Sequence, residues 1–244
     1  MRNYKGKTVE QFLEMLIAER GASSNTCTSY LNDITSFDKF LSGAETTLED
    51  ATTDDIRRYL RHRSEVGANN RTISRNLSVL RQFFKFLQSE NVRLDNPALN
   101  VDGPKVSRTL PKVISEDDVE ALLKAAHKLQ TAEGIRLTCL LEIAYASGLR
   151  VTELVSLPTD ALNLTSETLL ISGKGGKERL VPLTSSAMNA IVAYERVRID
   201  FLKGNNTSKF LFPSRSKQGY LTRRRLGQLL KELAIQAGLD PTII

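Results

Sequence analysis

The chain has 244 residues, 41% apolar and 25% charged, with a formal net charge of +6 and a pI near 9.3. That balance belongs to folded protein of one large or two ordinary domains and excludes a disordered chain. No apolar run reaches the ~18 residues of a membrane span, and Met1 to Lys7 leads into an amphipathic segment rather than a signal core. The excess positive charge suits nucleic acid without requiring it.

The first hundred residues read as four helices. Thr8 is expected to cap the first, with Val9, Phe12, Leu13, Leu16 and Ile17 at helical spacing and an end at Gly21. A second carries Cys27, Tyr30, Leu31, Ile34 and Leu41 and stops at Gly43. Thr53, Asp54 and Asp55 open a third, with Ile56, Tyr59 and Leu60 inward and Gly67 at its end. The fourth buries Ile73, Leu77, Leu80, Phe84 and Leu87 and leaves Arg71, Arg75, Arg81 and Lys85 for other faces. From Arg57 to Lys85 there are eight Lys or Arg against one acid, Glu65, either a solvated face or a nucleic-acid footprint.

Residues 96–111 hold three prolines and Gly103 without a period, which predicts a linker and the domain boundary. Ser115 then caps a helix rich in early acids. A nearly all-apolar helix from about Ile135 to Ala146 is expected at the centre of the second domain. Two short β segments, 168–171 and 179–183, flank Lys174-Gly175-Gly176-Lys177, which has the glycines of a tight hairpin. Helical spacing returns from Ser186 to about Phe201, residues 210–213 look extended, and Thr222 caps a last helix that ends near Gly238. The fold class is therefore mainly α: a four-helix bundle over 1–95, then a mixed α/β domain over 112–244 with a small antiparallel sheet.

Cys27 and Cys139 fall in apolar helical patterns and read as free buried thiols of a reducing, intracellular compartment. His62 and His127 lie in different domains without partners at metal-ligand spacing, so neither a metal nor another cofactor is expected, nor a Ser-His-Asp site. The glycines after Lys174 do not form a phosphate loop, because the order is reversed and a strand follows.

Two segments carry the chemistry. In Ala146-Ser147-Gly148-Leu149-Arg150-Val151-Thr152-Glu153-Leu154, glycine stops the buried helix and sends Arg150 outward, where a guanidinium can grip a phosphate or satisfy helix-end carbonyls. Glu153 can hold that guanidinium or support the next helix start. In Gly173-Lys174-Gly175-Gly176-Lys177-Glu178-Arg179, the lysines sit at a hairpin tip, open to solvent or to a DNA groove.

In this order and layout the segments resemble the tyrosine recombinase (phage integrase) family, most of all its bacterial Xer branch (XerC/XerD), over essentially the whole chain. The resemblance implies a SAM-like core-binding bundle and a catalytic domain closing around a duplex DNA recombination site. Arg150 would hold the scissile phosphate and Lys174 would protonate the departing 5′-oxygen. The family's tyrosine forms a 3′-phosphotyrosyl link, so ligation needs no metal or ATP. DNA contacts would come from Arg71, Arg75, Lys177, Arg179, Arg223, Arg224 and Arg225. Expected partners are a homo- or hetero-tetramer with a related recombinase and a division-linked DNA translocase, in the cytoplasm at the nucleoid, with no membrane. In the family a His-x-x-Arg box and the tyrosine follow a segment like Ala237-Gly238-Leu239-Asp240. Residues 1–244 include neither, and Tyr4, Tyr30, Tyr59, Tyr145, Tyr194 and Tyr220 fit helix or turn patterns. The 244 residues are expected to bind DNA without cleaving it. A DNA-binding regulator and a mobile-element integrase are the alternatives.

Overall fold

The four amphipathic segments of the first part form α1 (Lys7–Ala18), α2 (Ser24–Leu41), α3 (Thr53–Glu65) and α4 (Asn70–Ser89). The computed structural model describes residues 6–105, 113–173, 178–202 and 207–243, which divide into compact units at Thr109/Leu110. Helix α1 is capped two residues earlier than expected, at Gly6. The Gly6 carbonyl accepts from Val9 and Glu10, and Thr8, inside the helix, donates its hydroxyl to Glu49 at 3.1 Å. The other starts are capped by side chains: Ser23 accepts from Thr26, Asn69 from Thr72, and Thr52 forms a reciprocal box with Asp55. Gly43 lies in a 3-10 turn after α2, and the chain reverses at Glu45, which takes φ of 54°.

Phe12, Phe37, Phe83 and Phe84 are fully buried between these helices. Phe12 meets Phe83 edge-on at 5.4 Å and Phe37 meets Tyr59 at 5.0 Å. Each ring contributes roughly 1.5–3 kcal/mol by burial, so this aromatic layer, with the buried Ile34, Leu41, Ile56, Leu77 and Leu80, closes the bundle. The first part of the expected linker is packed on this unit. Ala98 and Val101 are buried, and Arg81 of α4 donates to both of their carbonyls. Prolines removed the period there, while a distant arginine supplied the missing hydrogen bonds.

In the second unit, α5 (Glu116–His127), α6 (Ala132–Ser147) and α7 (Val151–Val155) precede β1 (Leu162–Asn163), β2 (Thr168–Ser172) and β3 (Glu178–Pro182). Then come α8 (Ser185–Val197) and α9 (Arg223–Gln236). The strands form an antiparallel sheet in sequence order, with Leu169 opposite Val181 and Ser172 opposite Glu178. Strand β1, two residues long, is too short to show a period and was not anticipated. The helix expected to reach Phe201 changes to a 3-10 turn over Arg198–Phe201, and Phe210 and Pro213 make isolated bridges to Pro158 and Tyr220.

Helix α6 is the centre of this core through Leu137, Cys139, Leu140 and Ile143, but it is less apolar than its pattern suggests. Arg136 and Glu142 are buried with it. Glu133 ion-pairs with Arg136 at 3.1 Å, the Arg136 guanidinium lies 3.8 Å from the Phe201 ring centre, and Glu142 meets His127 Nε2 at 2.8 Å. Cys27 and Cys139 are free and buried, and burial pushes the Cys139 thiol far up. Among the described residues no helix is long and apolar enough to cross a membrane.

Candidate functional site

The turn that presents Arg150 is built from α6 outward. Gly148 ends the helix in the left-handed region at φ 58°, and its N–H donates to Ala144 at 3.0 Å. Leu149 then turns into the core, so Arg150 emerges in extended conformation at the start of α7. Glu153 reaches back one turn: its carboxylate accepts from the Arg150 backbone N–H at 3.0 Å and from Arg150 Nη1 at 2.8 Å. This is the carboxylate half of a capping box, since a guanidinium accepts nothing in return.

The same carboxylate accepts from Arg179 Nη2 at 3.3 Å. Arg179 lies on β3 close to the turn, opposite Ile171, so Glu153 ties the Arg150 turn to the hairpin. Burial raises the Glu153 carboxyl, but the backbone N–H and guanidinium of Arg150 and the charge of Arg179 outweigh it and hold it below the usual carboxylate range. Glu153 is nearly covered while the Arg150 side chain is 70% exposed. A fixed acid thus holds a guanidinium whose outer edge faces solvent, a suitable cradle for a phosphate. Lys174 and Lys177, in the connection between β2 and β3, lie outside the described residues.

The other cations are distributed differently. Arg223 and Arg224, in the first turn of α9, are exposed and make no ion pair among the described residues. Arg225 is drawn to Glu133 at 3.2 Å and Glu232 at 3.7 Å. Glu133 is in the first turn of α6, and Arg150 follows its last. A helix of 16 residues separates those ends by about 24 Å, so the structure does not bring Arg225 to Arg150. In the first unit Arg71 is exposed, whereas Arg75 Nη1 lies 2.7 Å from Asp33 Oδ2. Arg57 and Arg58 pair with Asp54 and Asp55. Arg81 is spent on carbonyls, so the cationic face is smaller than the basic run implies.

Two acids were not singled out from sequence: Asp33 and Glu133. Asp33 was detectable in principle, because it falls on the same helical stripe as Tyr30, Ile34 and Phe37, where a charge demands a partner. The described tyrosines differ in access. Tyr59 and Tyr194 are buried, Tyr194 donates to the Leu211 carbonyl, and Tyr145 is 62% exposed.

Residues 9–91 match the phage integrase N-terminal SAM-like domain, and residues 112–243 match the phage integrase family. The chain is 45% identical over 232 residues to the tyrosine recombinase XerD of Caulobacter vibrioides, covering 95% of this chain and 76% of that protein. It is 41% identical over 246 residues to XerD of Bradyrhizobium diazoefficiens, covering 96% and 77%. Among solved structures, the XerH recombinase in a pre-cleavage complex with difH shares the fold at a TM-score of 0.69 and 19% identity, over 95% of this chain and 69% of that one. A lambda integrase dimer on a core site does so at 0.64 and 18%, over 97% and 64%. The chain belongs to the tyrosine recombinase, or phage integrase, family, whose work is site-specific DNA recombination.

Proposed function

We propose that residues 1–244 carry the front half of a Xer-type strand-exchange site together with its DNA-binding bundle. The observation that carries this is the bridge from Arg150 through Glu153 to Arg179, which joins both catalytic segments of the resemblance in one place. Arg150 binds the non-bridging oxygens of the scissile phosphate, where negative charge grows during attack. Lys174 gives its proton to the 5′-oxygen as the phosphorus–oxygen bond breaks. The nucleophile is a tyrosine of the intact protein, which takes the 3′-phosphate and returns it to a new 5′-hydroxyl.

Arg71 and Arg75 in the first unit, and Lys177, Arg179 and Arg223 to Arg225 in the second, contact phosphates and position the duplex. Three arginines at the start of α9, with no acid in its first turn, add side-chain charge to a helix end that already favours anions. The Arg225 guanidinium, held at Glu133, lies at the opposite end of α6 from Arg150 and addresses a separate stretch of DNA. The parent protein acts as a tetramer with a like or related recombinase at the nucleoid. We assign it to chromosome-dimer resolution with a division-linked translocase, on the strength of its likeness to XerD relatives.

Residues 1–244 alone bind duplex DNA without cleaving it, because none of Tyr4, Tyr30, Tyr59, Tyr145, Tyr194 and Tyr220 stands where the family carries its nucleophile, after a segment like Ala237-Gly238-Leu239-Asp240. The test is incubation with a nicked suicide duplex, then a denaturing gel and, separately, binding across a salt series. Salt-sensitive binding with no covalent adduct is expected. An adduct overturns the non-cleaving assignment, and salt-insensitive or absent binding overturns the DNA role.

A further inference from the structure

We propose that Asp33 is a positioning residue for DNA binding, fixing the Arg75 guanidinium so that its outer edge meets a phosphate. Asp33 contacts no DNA itself. The proposal depends on α4 facing DNA through Arg75.

The geometry is specific. Arg75 rises from α4 and crosses to α2, where Nη1 lies 2.7 Å from Asp33 Oδ2 and donates to Ser29 Oγ one turn earlier. Its Nε and Nη2 take no partner among the described residues. The Asp33 side chain is 7% exposed and that of Arg75 46%, so the acid lies under the guanidinium and the base faces out. A long side chain on a surface helix loses ~2 kcal/mol of rotamer freedom when it is immobilised on a ligand. One already pinned at Nη1 has lost most of it beforehand and presents a planar fork. Two guanidinium groups act on the single carboxylate, Arg75 from α4 and Arg63 from α3. The cluster therefore keeps a net positive charge to offer an anion.

Stability does not explain the acid. Burial raises the Asp33 carboxyl, and the charges and hydrogen bonds of Arg75, Arg63 and Asn76 offset that only in part. A raised carboxyl favours the native state below the ordinary Asp pKa of about 3.9, and that advantage is lost as pH rises through the raised value. At neutral pH the ionised acid is thus held at a cost. Tyr59 Oη, Arg63 Nε and Asn76 Oδ1 are buried without a hydrogen-bond partner, and Asp33 Oδ2 itself meets Arg75 as a close ion pair rather than an aligned hydrogen bond, so this is a strained polar centre rather than an optimised one.

The test uses the full 244-residue chain and a fluorescein-labelled mixed-sequence duplex, with anisotropy read from about 50 to 200 mM KCl. Asp33→Asn is expected to fold, with a melting temperature at pH 7 no lower than the parent's. It should weaken binding about threefold and reduce the salt slope by about one, the signature of one lost phosphate contact. Asp33→Asn combined with Arg75→Ala should bind no more weakly than Arg75→Ala alone. Arg75→Lys should also weaken binding, since a point charge cannot serve acid and phosphate together. That variant decides the matter should Asp33→Asn fail to fold.

An unchanged slope for Asp33→Asn, with Arg75→Ala weakening binding, overturns the positioning role and leaves the DNA role of α4 intact. Parent-like binding by Arg75→Lys does the same. Parent-like binding by Arg75→Ala removes Arg75 from the DNA face, and this proposal falls with it.

Discussion

Glu153 accepts twice from Arg150, once from the backbone N–H at 3.0 Å and once from Nη1 at 2.8 Å. The first bond sets where α7 starts, and the second sets where the guanidinium points. One side chain therefore couples a local folding event to the orientation of the proposed catalytic cation. Its third bond, to Arg179 on β3, extends that coupling to the hairpin.

Replacing Glu153 by Gln should cost about 0.3–1 kcal/mol at neutral pH, the scale of a negative charge at a helix start, since the amide oxygen can still accept from the Arg150 N–H. Because its carboxyl is held low, the stabilisation is present above the ordinary Glu pKa of about 4.3 and is lost as pH falls through the lowered value. Thermal melts of parent and variant should differ at pH 7 and converge in acid. A constant difference across that range would contradict the charge-based role.

Arg150→Ala should leave DNA affinity of the 244-residue chain within about threefold, because one exposed contact among several is lost. In the intact parent the same change should reduce covalent adduct formation roughly 100- to 1000-fold, the scale for removing one transition-state charge partner. A suicide-substrate assay separates the two quantities. Lost affinity with normal cleavage per bound complex would reassign Arg150 to binding.

Arg223→Ala and Arg224→Ala should each lower the salt slope of binding by about one. Arg225→Ala should lower it less, since Glu133 and Glu232 already compete for its guanidinium. Anisotropy titrations at several KCl concentrations rank the three, and equal slopes would show that the acids release Arg225 to DNA.

Gly148→Ala places a Cβ at φ 58° in open space, so the penalty is backbone strain alone, about 1–2 kcal/mol. Denaturant unfolding should show a lower midpoint with an unchanged slope. A neutral effect would mean that the turn relaxes, and Arg150 with it.

Much of the fold was legible because helices announce themselves by period. The Phe12, Ile34 and Phe84 stripes, the acid-rich start after Ser115 and the Thr222 cap all depend on neighbours within one turn. Thr8 misled because its hydroxyl, suited to a cap, found Glu49 instead, 41 residues away. The packing of Ala98 and Val101 on the bundle was not legible, because their carbonyls accept from Arg81, which no local pattern reveals.

The site divides along the same line. Sequence alone determined which residues are candidates: Arg150 after a helix-stopping glycine, Glu153 one turn on, the lysines of the hairpin and the basic starts of α4 and α9. Each of these is a matter of local spacing and residue chemistry. Only the tertiary structure decided which cations share an acid and which remain exposed. Arg179 meets Glu153 across 26 residues, Arg225 meets Glu133 across 92, and Arg75 reaches Asp33 from another helix. Ion pairs form between surfaces that packing brings within a few ångströms, and packing is settled by the whole core rather than by any segment that contributes to it.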